Sequence, residues 1–175
     1  DDLKIIIKKN KNFSNLNFKK TPNIMGILNL TPDSFSDGGK FNKKNKGYHY
    51  ALNLFKSEAD IIDIGGESTR PGSKNITSKQ EWNRIKDTLK SINKKMNLSL
   101  DTRKSDIMEK GIKSGVKLIN DISGLSYDSQ TIKILKKNNI PFVIHHSQGA
   151  PEIMQVNPKY NNVILDIYDF FENKI

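Results

Sequence analysis

Ile61-Ile62-Asp63-Ile64-Gly65-Gly66-Glu67-Ser68-Thr69-Arg70 passes from a short apolar run into a polar, glycine-bearing loop. The run Ile61–Ile64 is apolar on both of its faces, which is the pattern of a strand in a parallel sheet covered by helices. The same design recurs upstream and downstream, at Ile24–Asn29, Leu98–Asp101, Lys117–Asn120 and Pro141–His145. Each run ends near a polar residue, and a loop and then a segment of helical period come after it.

The intervening segments carry helix signals of their own. Ser78 followed by Glu81 has the spacing of a capping box, after which Trp82, Ile85, Leu89 and Ile92 mark one face. Ile107, Met108 and Ile112 form a shorter face that Gly115 stops. Ile132 and Leu135 precede a stop at Asn138-Asn139, and Val163, Ile167, Phe170, Phe171 and Ile175 recur at spacings of three and four. Five β/α units in series predict an α/β fold. The segment before them, residues 1–22, reads as an apolar strand at Leu3–Ile7 and a polar Asn/Lys linker, and residues 23–175 as the units themselves, within one domain of 1–175.

Two closures of such a sheet exist, an open doubly wound sheet and a (β/α)8 barrel of the TIM type. No glycine-rich dinucleotide fingerprint or P-loop follows any strand, which weakens the first. A barrel places its chemistry at the C-terminal ends of its strands, where this chain has Asn29, Asp63, Asp101, Asn120 and the pair His145-His146. A full barrel takes about 250 residues, so 175 residues are expected to hold about the first five units and to lack the last three.

Composition narrows the function classes. There is no cysteine, which excludes disulfides and thiolate metal sites and fits a reducing, cytoplasmic setting. No apolar run approaches the roughly 18 residues of a membrane span. The opening Asp1-Asp2-Leu3-Lys4 is no signal peptide and lacks an initiator Met, so a soluble chain, processed or cut from something longer, is expected. The net charge of +10 comes almost wholly from lysines scattered among Asn and Ile; Arg70, Arg84 and Arg103 are the sole arginines. Codon bias toward Lys, Asn and Ile accounts for that charge, and a small anionic substrate is a better use of local positive charge than nucleic acid.

The first loop, Asn29-Leu30-Thr31-Pro32-Asp33-Ser34-Phe35-Ser36-Asp37-Gly38-Gly39, joins a strand-end amide to a proline-set turn, hydroxyls, two carboxylates and a glycine pair. An Asn carbonyl oxygen is a hard ligand suited to Mg²⁺, an ion that keeps waters and contacts substrate phosphates. The plainer reading is a capped polar turn. Taken whole, this loop resembles the signature loop of the dihydropteroate synthase family. Asp63-Ile64-Gly65-Gly66-Glu67-Ser68-Thr69-Arg70-Pro71-Gly72 is similar to the family's second signature. Asp101-Thr102-Arg103-Lys104, Asn120-Asp121-Ile122-Ser123 and His146-Ser147-Gln148-Gly149-Ala150-Pro151 come in the family's order.

That resemblance implies an eight-stranded barrel that condenses 6-hydroxymethyl-7,8-dihydropterin diphosphate with para-aminobenzoate in folate biosynthesis. It further implies that Asn29 holds Mg²⁺, that Thr69 and Arg70 lie at the diphosphate, that Asp101 and Asn120 hydrogen-bond the pterin ring and that Ser147 is substrate-binding, with Asp101 and Arg70 catalytic. A homodimer, and a place among the targets of sulfonamides, also belong to the resemblance. Each residue has a structural alternative: Asp101 as a cap for the helix near Lys104, Asn120 satisfying loop backbone, Arg70 in a surface ion pair. His145 and His146, adjacent in a strand, point to opposite faces and make a poor shared metal site. Glu67 is expected to hold its loop.

Two departures stand out. His145 occupies a place where the family has an apolar residue. The family also continues with Asp-Pro-Gly-Phe-Gly, Ser-Arg-Lys and Arg-Val-His segments that are not among these residues, so the 175-residue chain alone is expected to be inactive and poorly stable. Other readings are a folate-dependent methyltransferase domain on the same kind of barrel, or a non-catalytic truncated barrel.

Overall fold

The computed structural model describes residues 12–13, 16–17, 22–31, 46–68, 73–92, 96–149, 153 and 156–174. The expected strand at Leu3–Ile7, the first loop beyond Thr31, and Thr69 and Arg70 lie outside the described residues. The expected linker contains a small antiparallel hairpin, β1 (Asn12–Phe13) against β2 (Leu16–Asn17).

Five parallel strands follow: β3 (Met25–Asn29), β4 (Ile61–Gly65), β5 (Asn97–Asp101), β6 (Leu118–Asp121) and β7 (Phe142–Ile144). They lie side by side in chain order, β3-β4-β5-β6-β7. That order separates the two closures left open by the sequence. A doubly wound sheet reverses its order at a switch point. An unbroken order with right-handed crossovers puts every helix on one face, as in a (β/α)8 barrel. The chain has the first β/α units of that fold.

The helices are α1 (Lys46–Lys56), α2 (Ser78–Ile92), α3 (Ser105–Lys113), α4 (Thr131–Asn138) and α5 (Val163–Glu172). Leu28, Ile62, Ile64, Leu98, Leu100 and Ile119 point from the sheet toward them and are fully buried, against Ala51, Ile85, Leu89, Ile92, Ile107 and Met108. Each large side chain so buried stabilises by about 1.5–3 kcal/mol relative to exposure. The predicted stops hold. Gly115 takes φ 98° after α3, and Asn139 ends α4 in the left-handed region at φ 46°.

The capping box sits one residue earlier than the sequence suggested. The Gln80 backbone N–H donates to Thr77 Oγ1 (3.2 Å) and the Thr77 N–H donates to Gln80 Oε1 (2.9 Å). Ser78 instead donates to Asp106 Oδ1 (2.8 Å). Thr77 therefore caps α2, and Glu81 is left to turn inward.

Period-two alternation then sorts the strand ends. If Leu28, Ile64, Leu100 and Ile119 face the helices, their neighbours Asn29, Gly65, Asp101 and Asn120 face the opposite way, into what a closed barrel encloses.

Candidate active site

Asn29, Gly65, Asp101 and Asn120 are register partners across four adjacent strands, so they form one row at the C-terminal edge. Gly65 sits between two functional side chains. A Cβ added there would lie 3.2 Å from Asn29 Oδ1 and 3.3 Å from Asp101 Oδ2. The glycine thus leaves a notch with an amide oxygen on one wall and a carboxylate on the other. Asp63 lies two residues deeper in β4 rather than at its end, in register with Ser99.

Asn120 reaches across β5 and donates from Nδ2 to Asp63 Oδ2 (2.9 Å), while its Oδ1 faces His145 Nε2 at 2.9 Å. Its amide is engaged by side chains, not by loop backbone. The loop after β6 is organised by the next residue. Asp121 accepts from the Ser123 N–H (2.8 Å) and hydroxyl (2.7 Å) and from the Leu125 N–H (3.2 Å). Asp101 caps nothing: the α3 N-cap position is Lys104, without a side-chain cap, and Asp128 Oδ2 accepts the Ser105 N–H (2.9 Å).

Electrostatics mark the row as unusual. Burial, and then the charges of Asp63, Glu81, Asp121 and Glu67, push the Asp101 carboxyl up to about 8. Burial also raises Asp63. Asp63 Oδ1 and the Ser99 hydroxyl lie buried together on the floor of the row, where the hydroxyl offsets part of the burial that raises the carboxyl.

Behind the row lies an ionic network that the sequence hinted at only through Glu67. Lys104 Nζ donates to Glu67 Oε2 and Glu81 Oε2, both at 2.7 Å. Arg103 Nε donates to Glu67 Oε2 (3.2 Å), and its guanidinium bonds to Asn75 and stacks over the Tyr127 ring at 4.3 Å. Glu81, fully buried, also accepts from the Thr102 hydroxyl (2.6 Å). Glu67 Oε1 accepts the Ile76 N–H (3.0 Å). Burial alone would raise Glu67, but Lys104, the Ile76 N–H and Arg103 outweigh it and hold the carboxyl low. Two carboxylates and two cations thereby pin the loop after β4 to the turn after β5, the loop-holding part expected of Glu67. The signal for Glu81 was its place in a helix turn that Thr77, not Ser78, caps.

His145 faces Asn120, whereas His146 packs its ring on Phe170 (4.7 Å between centroids) and contacts the Tyr160 hydroxyl (3.1 Å). They point apart, as expected. Ser147 donates to the Gly149 carbonyl (3.2 Å) in a local turn and joins no hydrogen bond of the row. Among the described residues no three His, Cys, Asp or Glu side chains could cage a metal. A cation at Asn29 would take most of its shell from water and a substrate's oxygens, which suits Mg²⁺ and fits the polar notch over Gly65. Among the described residues no helix is long and apolar enough to cross a membrane.

Known proteins resemble this chain in sequence and in fold. The chain is 40% identical over 149 residues to the dihydropteroate synthase of Neisseria meningitidis serogroup B, covering 83% of itself and 52% of that protein. It superimposes on the Yersinia pestis dihydropteroate synthase solved with a sulfonamide drug (TM-score 0.83, 35% identity, 93% of this chain and 60% of that one). It also superimposes on the Xanthomonas albilineans enzyme solved with 4-aminobenzoic acid (TM-score 0.81, 31% identity, 91% and 56%). The chain spans about half the length of the curated relatives it matches. Residues 25–175 match the family model for pterin binding enzymes, and the chain therefore belongs to the pterin-binding enzyme family.

Proposed function

We propose that the protein carrying this chain is a dihydropteroate synthase. It joins 6-hydroxymethyl-7,8-dihydropterin diphosphate to para-aminobenzoate, releasing diphosphate. The observation that carries the reading is the single row of Asn29, Asp101 and Asn120 around the notch at Gly65, above the buried Asp63 and Ser99. A pterin offers an edge of alternating donors and acceptors, which a carboxylate and an amide on adjacent strands can match. The charges around Asp101 oppose its ionisation, so a donor-rich or cationic ring edge is what would draw its proton away. A positive centre developing at the pterin methylene carbon would be steadied by the same carboxylate.

Mg²⁺, held by Asn29 Oδ1, would supply the charge that a departing diphosphate needs. Thr69 and Arg70, which follow Glu67 in the sequence, would bind that diphosphate, and Arg70 would offset its growing charge. Ser147 would line the pterin side. The partners proposed are the two small-molecule substrates and a second copy of the chain, with no nucleic acid or membrane, in the cytoplasm.

The test is product analysis with the full-length protein: dihydropteroate from the two substrates supports the reading, and methyl transfer from a folate instead overturns it. Asn29→Ala is expected to slow diphosphate release by on the order of a hundredfold with little change in para-aminobenzoate affinity. Equal loss of both would mean that the loop had collapsed and that Asn29 has no metal role.

A further inference from the structure

The residue that departs from the family pattern is also the one that touches the row from the side. His145 follows β7, faces the same way as Val143, and brings Nε2 to 2.9 Å from Asn120 Oδ1. Asn120 in turn holds Asp63 through Nδ2, so three side chains from β4, β6 and the end of β7 form one hydrogen-bonded line across the floor. An apolar residue at 145 would end that line at Asn120.

A primary amide is nearly symmetric in shape and opposite in polarity at its two ends, so it can flip. Asp63 disfavours the flip only while its carboxyl accepts. With His145 present, reversal requires a proton on Asp63 and a bare Nε2 on the imidazole at the same time. The imidazole thus makes the orientation a two-ended constraint. The amide keeps one further N–H and one further lone pair for a ligand, in a fixed order. A 2-amino-4-oxo ring presents N–H and carbonyl oxygen in one order; replacing the oxo group by an amine reverses it. A freely flipping amide can match either order, and a locked one only the first or the second.

We propose that His145 is a positioning residue that locks the Asn120 amide, oxygen toward β7 and nitrogen toward Asp63, and so makes the site select a 4-oxo over a 4-amino pteridine edge. The selectivity rests on the pterin reading above; the lock itself does not.

Two measurements on the full chain separate these. In the free protein, the side-chain N–H₂ signals of Asn120 in a ¹⁵N-resolved NMR spectrum are expected to shift and broaden in His145→Leu and to return in His145→Gln, which keeps an N–H donor at the Nε2 position. A mere packing role would not be rescued in this way. Equilibrium binding of 6-hydroxymethylpterin and of its 2,4-diamino counterpart then tests selectivity. Wild type is expected to prefer the 4-oxo ring by about tenfold, roughly one hydrogen bond's worth. His145→Leu should bring the two within about threefold, and His145→Gln should restore the preference. Asn120 signals indifferent to His145→Leu overturn the lock. A wild-type preference retained in His145→Leu overturns the selectivity. Failure of wild type to bind either pteridine overturns the pterin reading and the selectivity with it, leaving the lock to stand or fall on the NMR result.

Discussion

Four carboxylates, those of Asp63, Glu81, Asp121 and Glu67, add to burial in holding a proton on Asp101 up to about pH 8. The folded chain thus binds a proton that the unfolded chain, at the ordinary aspartate value of 3.8, releases. Linkage then makes this residue's contribution to stability fall as pH rises from about 4 to about 8 and stay level above that. Asp101→Asn keeps the shape and removes the titration. In EDTA-treated protein its melting temperature at pH 7.5 is expected to equal or exceed that of wild type, with a flatter dependence on pH, while pterin affinity falls. A large drop in melting temperature at all pH values would restore the helix-cap role for Asp101. At this scale the sequence was informative about which residues matter and silent about which way they face. Asn120 and Asp121 are adjacent, yet one joins the row and the other builds a loop, a division made by strand register that a single sequence does not display. His145 was legible only as an oddity, because its partner Asn120 lies 25 positions away.

Among the elements, α2 and the turn before α3 are coupled through Lys104. Lys104→Met would leave Glu67 and Glu81 buried without their ammonium, and an expected cost of about 3–5 kcal/mol is readable by urea denaturation. Replacing Lys104 and Glu81 together by neutral residues, which leaves Glu67 paired with Arg103, should recover much of that loss; no recovery would show that Lys104 acts by packing alone. Thr77→Ala is expected to cost about 1 kcal/mol, and Ser78→Ala less, since the Ser78 bond to Asp106 is exposed. Most of the elements were readable, because apolar runs and helical periods are local. Where the sequence misled, the competing residues stood side by side: Thr77 and Ser78 both have an acidic or amide side chain three positions on, and only packing decides that Glu81 turns in. α1 is missing from the elements expected from sequence, since Gly47 and the Lys- and Asn-rich stretch before it mask the face that buries Ala51.

In the molecule as a whole, β3 and β7 end the sheet among the described residues, and Ile27 on the inner face is 60% exposed. Apolar surface and unpaired strand edges of this kind favour association. Residues 1–175 expressed alone are expected to self-associate at micromolar concentration and to form no dihydropteroate, checked by sedimentation and by product assay; a monomeric, active preparation would refute both. The α/β class and the barrel direction were legible in the repeating run-loop-helix pattern, but strand neighbours were not, because pairing is a long-range property. What decided between barrel and doubly wound sheet was the order β3-β4-β5-β6-β7. That order has a further consequence during synthesis. Every strand pairs with the one made just before it, so a unit leaving the ribosome meets its partner already in place and need not wait for the chain to finish. The nascent chain can grow its sheet in one direction, with the β3 edge fixed from the start and only the opposite edge advancing.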